Sequence, residues 1–358
     1  MPISVTHTFV SPVTDAGDPN EVGPNEWNAA HTVTGAVAAS AESYNRIVNP
    51  AMQHSQELGI SGTATAGAYI VDQWQAFVSG ISFAAAKSTA YTTHQIQITT
   101  TTGKALAAGD YMGFTQLIEG VRLWDFSYGT SLALASVLRF ETYCNIAGTF
   151  GVSFRNAAGN RSFVLPFTVS TPNVWTTFTV SIPGDTTGTW PVDNTKGAEV
   201  AFVFAAGTTF TTSGTGWQAG NFIAPTGITN GAATTNNIFY IRNVGLYLDP
   251  QNTGVAPAWQ MPDYTEELIK CQRYFANTLL SQFAGNVTSG VGYYGIGAFP
   301  VFTRTTPAVT GVHENSFSFP TTPGAYTLIG GTSVRELRTA NATGSGHFSS
   351  YMTVNARM

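Results

Sequence analysis

Period-two alternation, broken every few residues by turn chemistry, runs from about Tyr44 to Pro262 and leaves room for little except short β-strands. In "WTTFTVSIPG", Phe178, Val180 and Ile182 fall on one side of an extended chain, and Thr177, Thr179 and Ser181 on the other. "HQIQITT" repeats the pattern with Ile96 and Ile98, and "FGVSFRNAAGNRSFVLPF" is two apolar runs around an Asn/Gly loop, a hairpin signature. "AEVAFVFA" and "IFYIRNVGLYL" supply two further strands rich in β-branched and aromatic residues. Turns are marked by Pro183-Gly184-Asp185, Gly188, Asn230-Gly231 and Asp249-Pro250. The expected fold is therefore all-β, a jelly-roll β-sandwich spanning 46–262.

One segment breaks the pattern. "EELIKCQRYF" (266–275) packs charge where its surroundings have almost none. Asp263 is placed to cap a helix with Glu266 three residues on, and Tyr264, Leu268, Cys271 and Phe275 recur at helical spacing. A short helix over 263–276 is expected to close the sandwich, packed across its end or against the same helix of neighbouring subunits. After it, "FPVFTRTTPAVTGV" and "SFSFPTTPGAYTLIG" return to strand patterns, giving a small C-terminal β domain at 277–358, a tip or second binding domain. Before the sandwich, residues 1–45 read as an extended tether of Asp, Gly, Pro and Asn, with isolated hydrophobes suited to docking on a larger body.

Charge sets the limits on function. Charged residues are 10% of the 358 and aromatics 12%, so the chain folds, with a polar but largely uncharged surface. Asp15, Asp18, Glu21, Glu26 and Glu42 precede the first basic residue and account for the net charge of −5, since 46–358 carry 15 of each sign. Without a basic stripe, phosphate neutralisation is excluded as a binding mode and no nucleic-acid partner is expected. The most apolar stretch, "GVGYYGIGAFPVF" (290–302), is too short and too broken for a membrane span of about 20 residues, so membrane insertion is not expected. Neither a secretory signal at the N-terminus nor a metal-type cysteine pair is read in the sequence. Cys144 and Cys271 are expected to be free buried thiols of a chain made in a cytoplasm.

Several stretches resemble bacteriophage tail-fibre and other virion-appendage proteins. "NRIVNPAMQHSQELG" (45–59) followed by "AYIVDQWQAF" (68–77) is similar to the opening of a jelly-roll module widespread in phage fibres. "WTTFTVSIPGDTTGTW" (175–190) and "FYIRNVGLYLDP" (239–250) resemble its later strands, and "EELIKCQRYF" its closing helix. "FPVFTRTTPAVT" resembles the short β domain that often follows, and "PNEWNAAHT" (24–32) a tether found in phage appendages. The ending Gly245-Leu246-Tyr247-Leu248-Asp249 departs from the family pattern. The resemblance implies a structural, receptor-binding virion subunit (tail fibre, spike or head fibre) with a carbohydrate-binding-like sandwich, assembled as a homotrimer. Residues 1–45 would then meet other virion proteins, with Phe9, Trp27 and His31 as attachment residues, and the outer domains would meet host surface polysaccharide. The expected location is the virion, assembled in the bacterial host cytoplasm.

Sugars present apolar C–H faces to aromatic rings and hydroxyls to amides and charged groups. On that chemistry the glycan-binding candidates are Trp217 in "TTSGTGWQAGN" with Gln218 and Asn221, Trp190 in "GDTTGTWPVDN", and Tyr293 with Tyr294. Trp124 is a further open aromatic. Trp74 and Asp72 are expected to be structural, with a calcium ligand at Asp72 the alternative; no cofactor is otherwise implied. Asp185 and Asp193, eight residues apart around Trp190, suggest a glycosidase pair, yet both lie in turn sequence where Asp bonds its own backbone. His7, His31, His54, His94, His313 and His347 are scattered. The expectation is a non-catalytic adhesin; the alternatives are a purely structural capsid or tail decoration protein and a capsule depolymerase.

Overall fold

The computed structural model describes residues 4–5, 31–32, 41–60, 62–90, 93–329 and 332–358. The chain divides into two units, Met1–Ser40 and Ala41–Met358. In the first, Ser4–Val5 pairs antiparallel with His31–Thr32. Phe9 and Trp27 lie outside the described residues, and only the backbone of His31 is described.

The second unit begins with a sandwich of two antiparallel sheets, the jelly-roll class the alternation demands. Its seven-stranded sheet runs, in spatial order, Trp217–Ala219, Arg161–Val169, Gly148–Asn156, Lys196–Ala206, Tyr111–Glu119, Trp74–Ser79 and Tyr69–Val71. The six-stranded sheet runs Thr176–Ile182, Ala135–Cys144, Ile238–Asp249, Gln95–Thr100, Phe83–Ser88 and Thr63–Ala64. Between them lies an aromatic core that includes Trp74, Phe114, Phe140, Phe150, Phe154, Phe202, Phe204 and Phe239, all fully buried. Each such ring contributes roughly 1.5–3 kcal/mol by leaving water.

The two outer faces differ. Lys196–Ala206 is buried on both sides, as its near-continuous apolar run requires. Ala201 and Val203 point away from the core and meet Ile223, Ala224, Phe210 and Ile228 from the uncharged segment that follows, which folds over that sheet. The six-stranded sheet keeps clean alternation on Ala135–Cys144: Leu138 and Phe140 face inward, Arg139, Glu141 and Tyr143 outward. Part of its outer face is covered where Val137 and Tyr247 pack on Ala41 and Ala256.

The helix Tyr264–Gln272 is capped by Asp263, which accepts from the amides of Thr265 and Glu266 at 2.9 Å each. Its buried side differs from the expected stripe. Glu267 and Cys271 are buried, Tyr264 is 58% exposed, and Phe275 belongs to the strand beyond. The reason is a polar anchor: Glu267 turns inward because its carboxylate accepts the Asn49 amide at 2.7 Å and Lys270 at 3.0 Å. Among the described residues no helix is long and apolar enough to cross a membrane.

A second, six-stranded antiparallel sheet follows, in the order Ala308–Phe317, Gly344–Asn355, Phe275–Val287, Gly292–Ala298, Ser333–Thr339, Ala325–Ile329. Its inner face carries small apolar clusters around Met352 and Val354 and around Phe348 and Phe319. The outer face leaves Leu280, Tyr294, Ile296, Val312 and Tyr351 exposed. Polar bonds join this sheet to the sandwich: Arg273 grips Glu119 at 2.6 and 3.1 Å, Tyr274 donates to the same carboxylate at 2.8 Å, and Arg304 donates to the Asn194 carbonyl at 2.6 Å.

Candidate functional site

Another part of the outer face of the six-stranded sheet gathers residues far apart in sequence. Because side chains alternate, "RFETYC" sends Arg139, Glu141 and Tyr143 outward, and "FYIR" sends Tyr240 and Arg242 to the same side. Register then aligns them across strands. Tyr143 opposes Tyr240, Tyr240 opposes Gln97 and Gln97 opposes Ala86; in the next row Thr177 opposes Glu141 and Glu141 opposes Arg242. The longer row crosses four strands, about 14 Å at the usual strand spacing.

Three rings form the apolar part. Tyr143 lies 5.8 Å from Trp175 and 5.5 Å from Tyr240, and Trp175 lies 6.1 Å from Tyr240, centroid to centroid. Arg242 sits over Trp175 with its guanidinium carbon 3.8 Å from the ring centre. Its Nε donates to Glu141 at 2.8 Å and its Nη1 to Thr93 at 2.7 Å. Arg139 donates to the other Glu141 oxygen at 3.0 Å and lies over Trp259 at 5.6 Å. A β-bulge between Arg242 and Gly245 puts Asn243 in the left-handed region (φ 50°), so that its amide donates to Glu141 at 3.1 Å while its carbonyl accepts from Arg139 at 3.2 Å. Burial, the largest single influence on Glu141, pushes its carboxyl up; the bonds from Arg242, Asn243 and Arg139 outweigh it and hold the group below its ordinary value.

The sequence-predicted tryptophans occupy the open end of the sandwich. Trp217 lies on a three-residue edge strand opposite Phe163, which turns its ring toward the core side. Trp190 meets it edge-on at 5.4 Å, and Tyr128 fits between them at 4.9 and 5.8 Å. Both indole N–H groups are used internally, Trp217 on the Pro183 carbonyl at 2.7 Å and Trp190 on Asp185 at 3.3 Å and the Thr187 carbonyl at 3.2 Å. Gln218 faces the other way and accepts from Thr212 at 2.6 Å, while Asn221 accepts from Arg155 at 2.5 Å. These four residues therefore do not converge on one surface. Tyr293 and Tyr294 also part: Tyr293 packs on Phe283 at 5.0 Å, and Tyr294 stands on the outer face with Arg335 over it at 4.2 Å. Trp124 is 67% exposed on a short 3₁₀ turn.

The paired carboxylates are committed locally. Asp185 is buried and bidentate to Arg161 at 2.8 and 2.6 Å; burial pushes its carboxyl up, and Arg161 with Thr187 brings it below its ordinary value. Asp193 accepts from the amide and hydroxyl of Thr195, which hold it low. Asp72 accepts both the Gln56 amide at 3.0 Å and its side chain at 2.7 Å, and the neighbouring Trp74 donates to the Asn49 carbonyl at 3.0 Å. Among the described residues there is no group of three or more His, Cys, Asp or Glu arranged to hold a metal ion.

Glu141, Asp185 and Glu199 (the last buried between Arg155 and Lys196) all have lowered folded-state values, so each favours the native state above its unfolded pKa and loses that contribution as pH falls through the folded one. The melting temperature should therefore hold near neutrality and drop by roughly 5 °C or more on acidification to about pH 3. A flat profile in a pH-series thermal melt would contradict the assigned ion pairs.

No protein-family model matches the chain, and no curated protein sequence does. Solved structures give distant similarity. The enzymatically active domain of bacteriophage CBA120 tailspike protein 4 is 12% identical with a TM-score of 0.32, over 57% of this chain and 21% of that one. TmCBM61 in complex with β-1,4-galactotriose is 9% identical with a TM-score of 0.30, over 58% and 100%. The family 11 carbohydrate-binding module of Clostridium thermocellum Lic26A-Cel5E is 13% identical with a TM-score of 0.27, over 52% and 97%. At such values the similarity identifies neither a ligand nor an activity for this chain.

Proposed function

We propose that the chain is a virion appendage subunit, a tail fibre, spike or head fibre, that adheres to glycan on a bacterial surface without catalysing a reaction. The supporting observation is the outer face of the six-stranded sheet, where the half-buried Tyr143 and Trp175 lie beside Gln97, Thr177, Glu141 and Arg242. Rings there can stack on sugar C–H faces while amides and charges read hydroxyls. Residues 1–45 serve as the anchor to other virion proteins. Self-association as a homotrimer accords with the exposed apolar side chains Leu280, Ile296 and Val312 on the outer face of the C-terminal sheet, which stand beside Arg335 and Glu314. Several weak sites per particle then give useful avidity.

Trp175→Ala should lower binding to bacterial surface polysaccharide at least tenfold, because losing a central aromatic anchor costs roughly 2 kcal/mol or more. Deleting residues 1–40 should abolish incorporation into particles and leave that binding intact. Full binding by the Trp175 variant, or incorporation of the truncated chain, would overturn the corresponding half of the reading.

A further inference from the structure

We infer that the outer face of the C-terminal sheet holds a glycan site of its own, a slot over Ala284 that takes one pyranose residue of a surface polysaccharide. This rests on the glycan-binding reading above. Strand register builds the slot. Phe317 pairs with His347 and His347 with Ala284, while Gln282 pairs with Ile296, two residues from Tyr294 on the same side of its strand. Between the strands of His347 and Tyr294, about 10 Å apart at the usual spacing, the side chain at this level is the single methyl of Ala284. A depression of about 540 Å³ lies there, lined by Gln282, Phe283, Ala284, His347, Phe348 and Ser349.

The rings that flank the depression are open, Phe317 at 59% exposure and Tyr294 at 47%. Phe317 stacks on His347 at 6.3 Å and 18°, and the Arg335 guanidinium carbon stands 4.2 Å from the Tyr294 ring centre, so each wall is braced from its own side. Side chains stand roughly perpendicular to a sheet, and a sugar ring about 4 Å from each wall fills the gap with its C–H faces on aromatic surface. The polar half of the site is also present. Gln282 and Asn315 are exposed and His347 is half-buried, and their side chains have no hydrogen bond to a described residue. Sugar hydroxyls both donate and accept, and so suit these groups, whereas an apolar protein surface laid here would bury them unpaired. The apolar end of the same face lies elsewhere. Leu280, which pairs with Tyr351 and through it with Val312, is four residues from Ala284, about 13 Å along the strand. Copies of the chain that meet at that end leave the slot open.

The test prints bacterial surface polysaccharides and their oligosaccharide fragments on an array and probes it with the full chain, Tyr294→Ala, Ala284→Trp and Trp175→Ala. Tyr294→Ala removes one wall; Ala284→Trp removes no contact and fills the slot. Expected are signals on the polymers that the wild type binds which fall roughly tenfold in both slot variants, with melting temperature and light-scattering mass unchanged. Undiminished binding by either folded slot variant overturns the slot, and if Trp175→Ala alone loses binding, glycan adhesion stands on the sandwich. A changed mass in Ala284→Trp shows this end of the face covered by another copy and overturns the slot as well. No signal from a folded wild-type chain overturns both readings.

Discussion

Asn49→Ala should destabilise the sandwich by roughly 3–5 kcal/mol, as large an effect as removing a core aromatic. Asn49 is fully buried and ties together four parts of the fold. Its side-chain amide donates to the carbonyls of His54 and Asp72 at 2.9 Å each, and its side-chain oxygen accepts from the His54 amide at 3.1 Å. Its own amide donates to Glu267 on the helix, and its carbonyl accepts from Trp74 in the core. Alanine would strand the His54 amide and the Asp72 carbonyl, each costing roughly 1–3 kcal/mol, while the His54 carbonyl keeps the Asp72 amide, and it would do so in a backbone conformation (φ 53°) that disfavours a β-carbon without a local bond. Chemical denaturation followed by tryptophan emission measures this directly. A loss below about 1 kcal/mol would show that these bonds are replaceable by water.

The second large effect lies in the C-terminal sheet. Glu336 and Arg338 are both buried, at 0% and 3% exposure, beneath a core of only a few apolar residues. Arg338 donates to Glu336 at 2.8 Å, to the Pro320 carbonyl at 2.8 Å and to Ser350 at 2.6 Å, with its guanidinium carbon 5.0 Å from the Phe348 ring centre. Arg338→Met alone leaves a carboxylate buried without its cation and should cost roughly 3–5 kcal/mol. Adding Glu336→Leu should return most of that loss, since a buried pair replaced by apolar groups of similar size is often neutral. The double-mutant cycle reads the coupling; a double variant as unstable as the single one would mean that the bond from the Gly324 amide to Glu336, not the charge pair, carries the weight.

What the sequence disclosed and what it hid follow from distance along the chain. Phe178, Val180 and Ile182 announce a strand because the signal lies within seven residues, and the antiparallel pairing of Thr176–Ile182 with Ala135–Cys144 follows that alternation. The helix was visible through Asp263, although its buried Glu267 was not, because the partner that draws it inward is the Asn49 amide. Trp217 sits in loop-like sequence, yet three residues of pairing with Arg161–Phe163 suffice to turn its ring toward Phe163. The cluster of Tyr143, Trp175 and Tyr240 was hidden for a related reason. Tyr143 and Tyr240 become neighbours only through register, and the outward alternation of Arg139, Glu141, Tyr143, Tyr240 and Arg242 is the signal that would have flagged it.

The asymmetry between the two outer faces of the sandwich has an evolutionary consequence. Substitutions on Lys196–Ala206 disturb either the core or its apolar blanket, so that strand tolerates little drift. Positions 143, 175, 177 and 242 point away from the core and can be exchanged while the strands beneath them keep their pairing. Descendants of such a chain are free to rewrite one outer side of a sheet, and their folds would stay recognisable long after those surfaces had diverged.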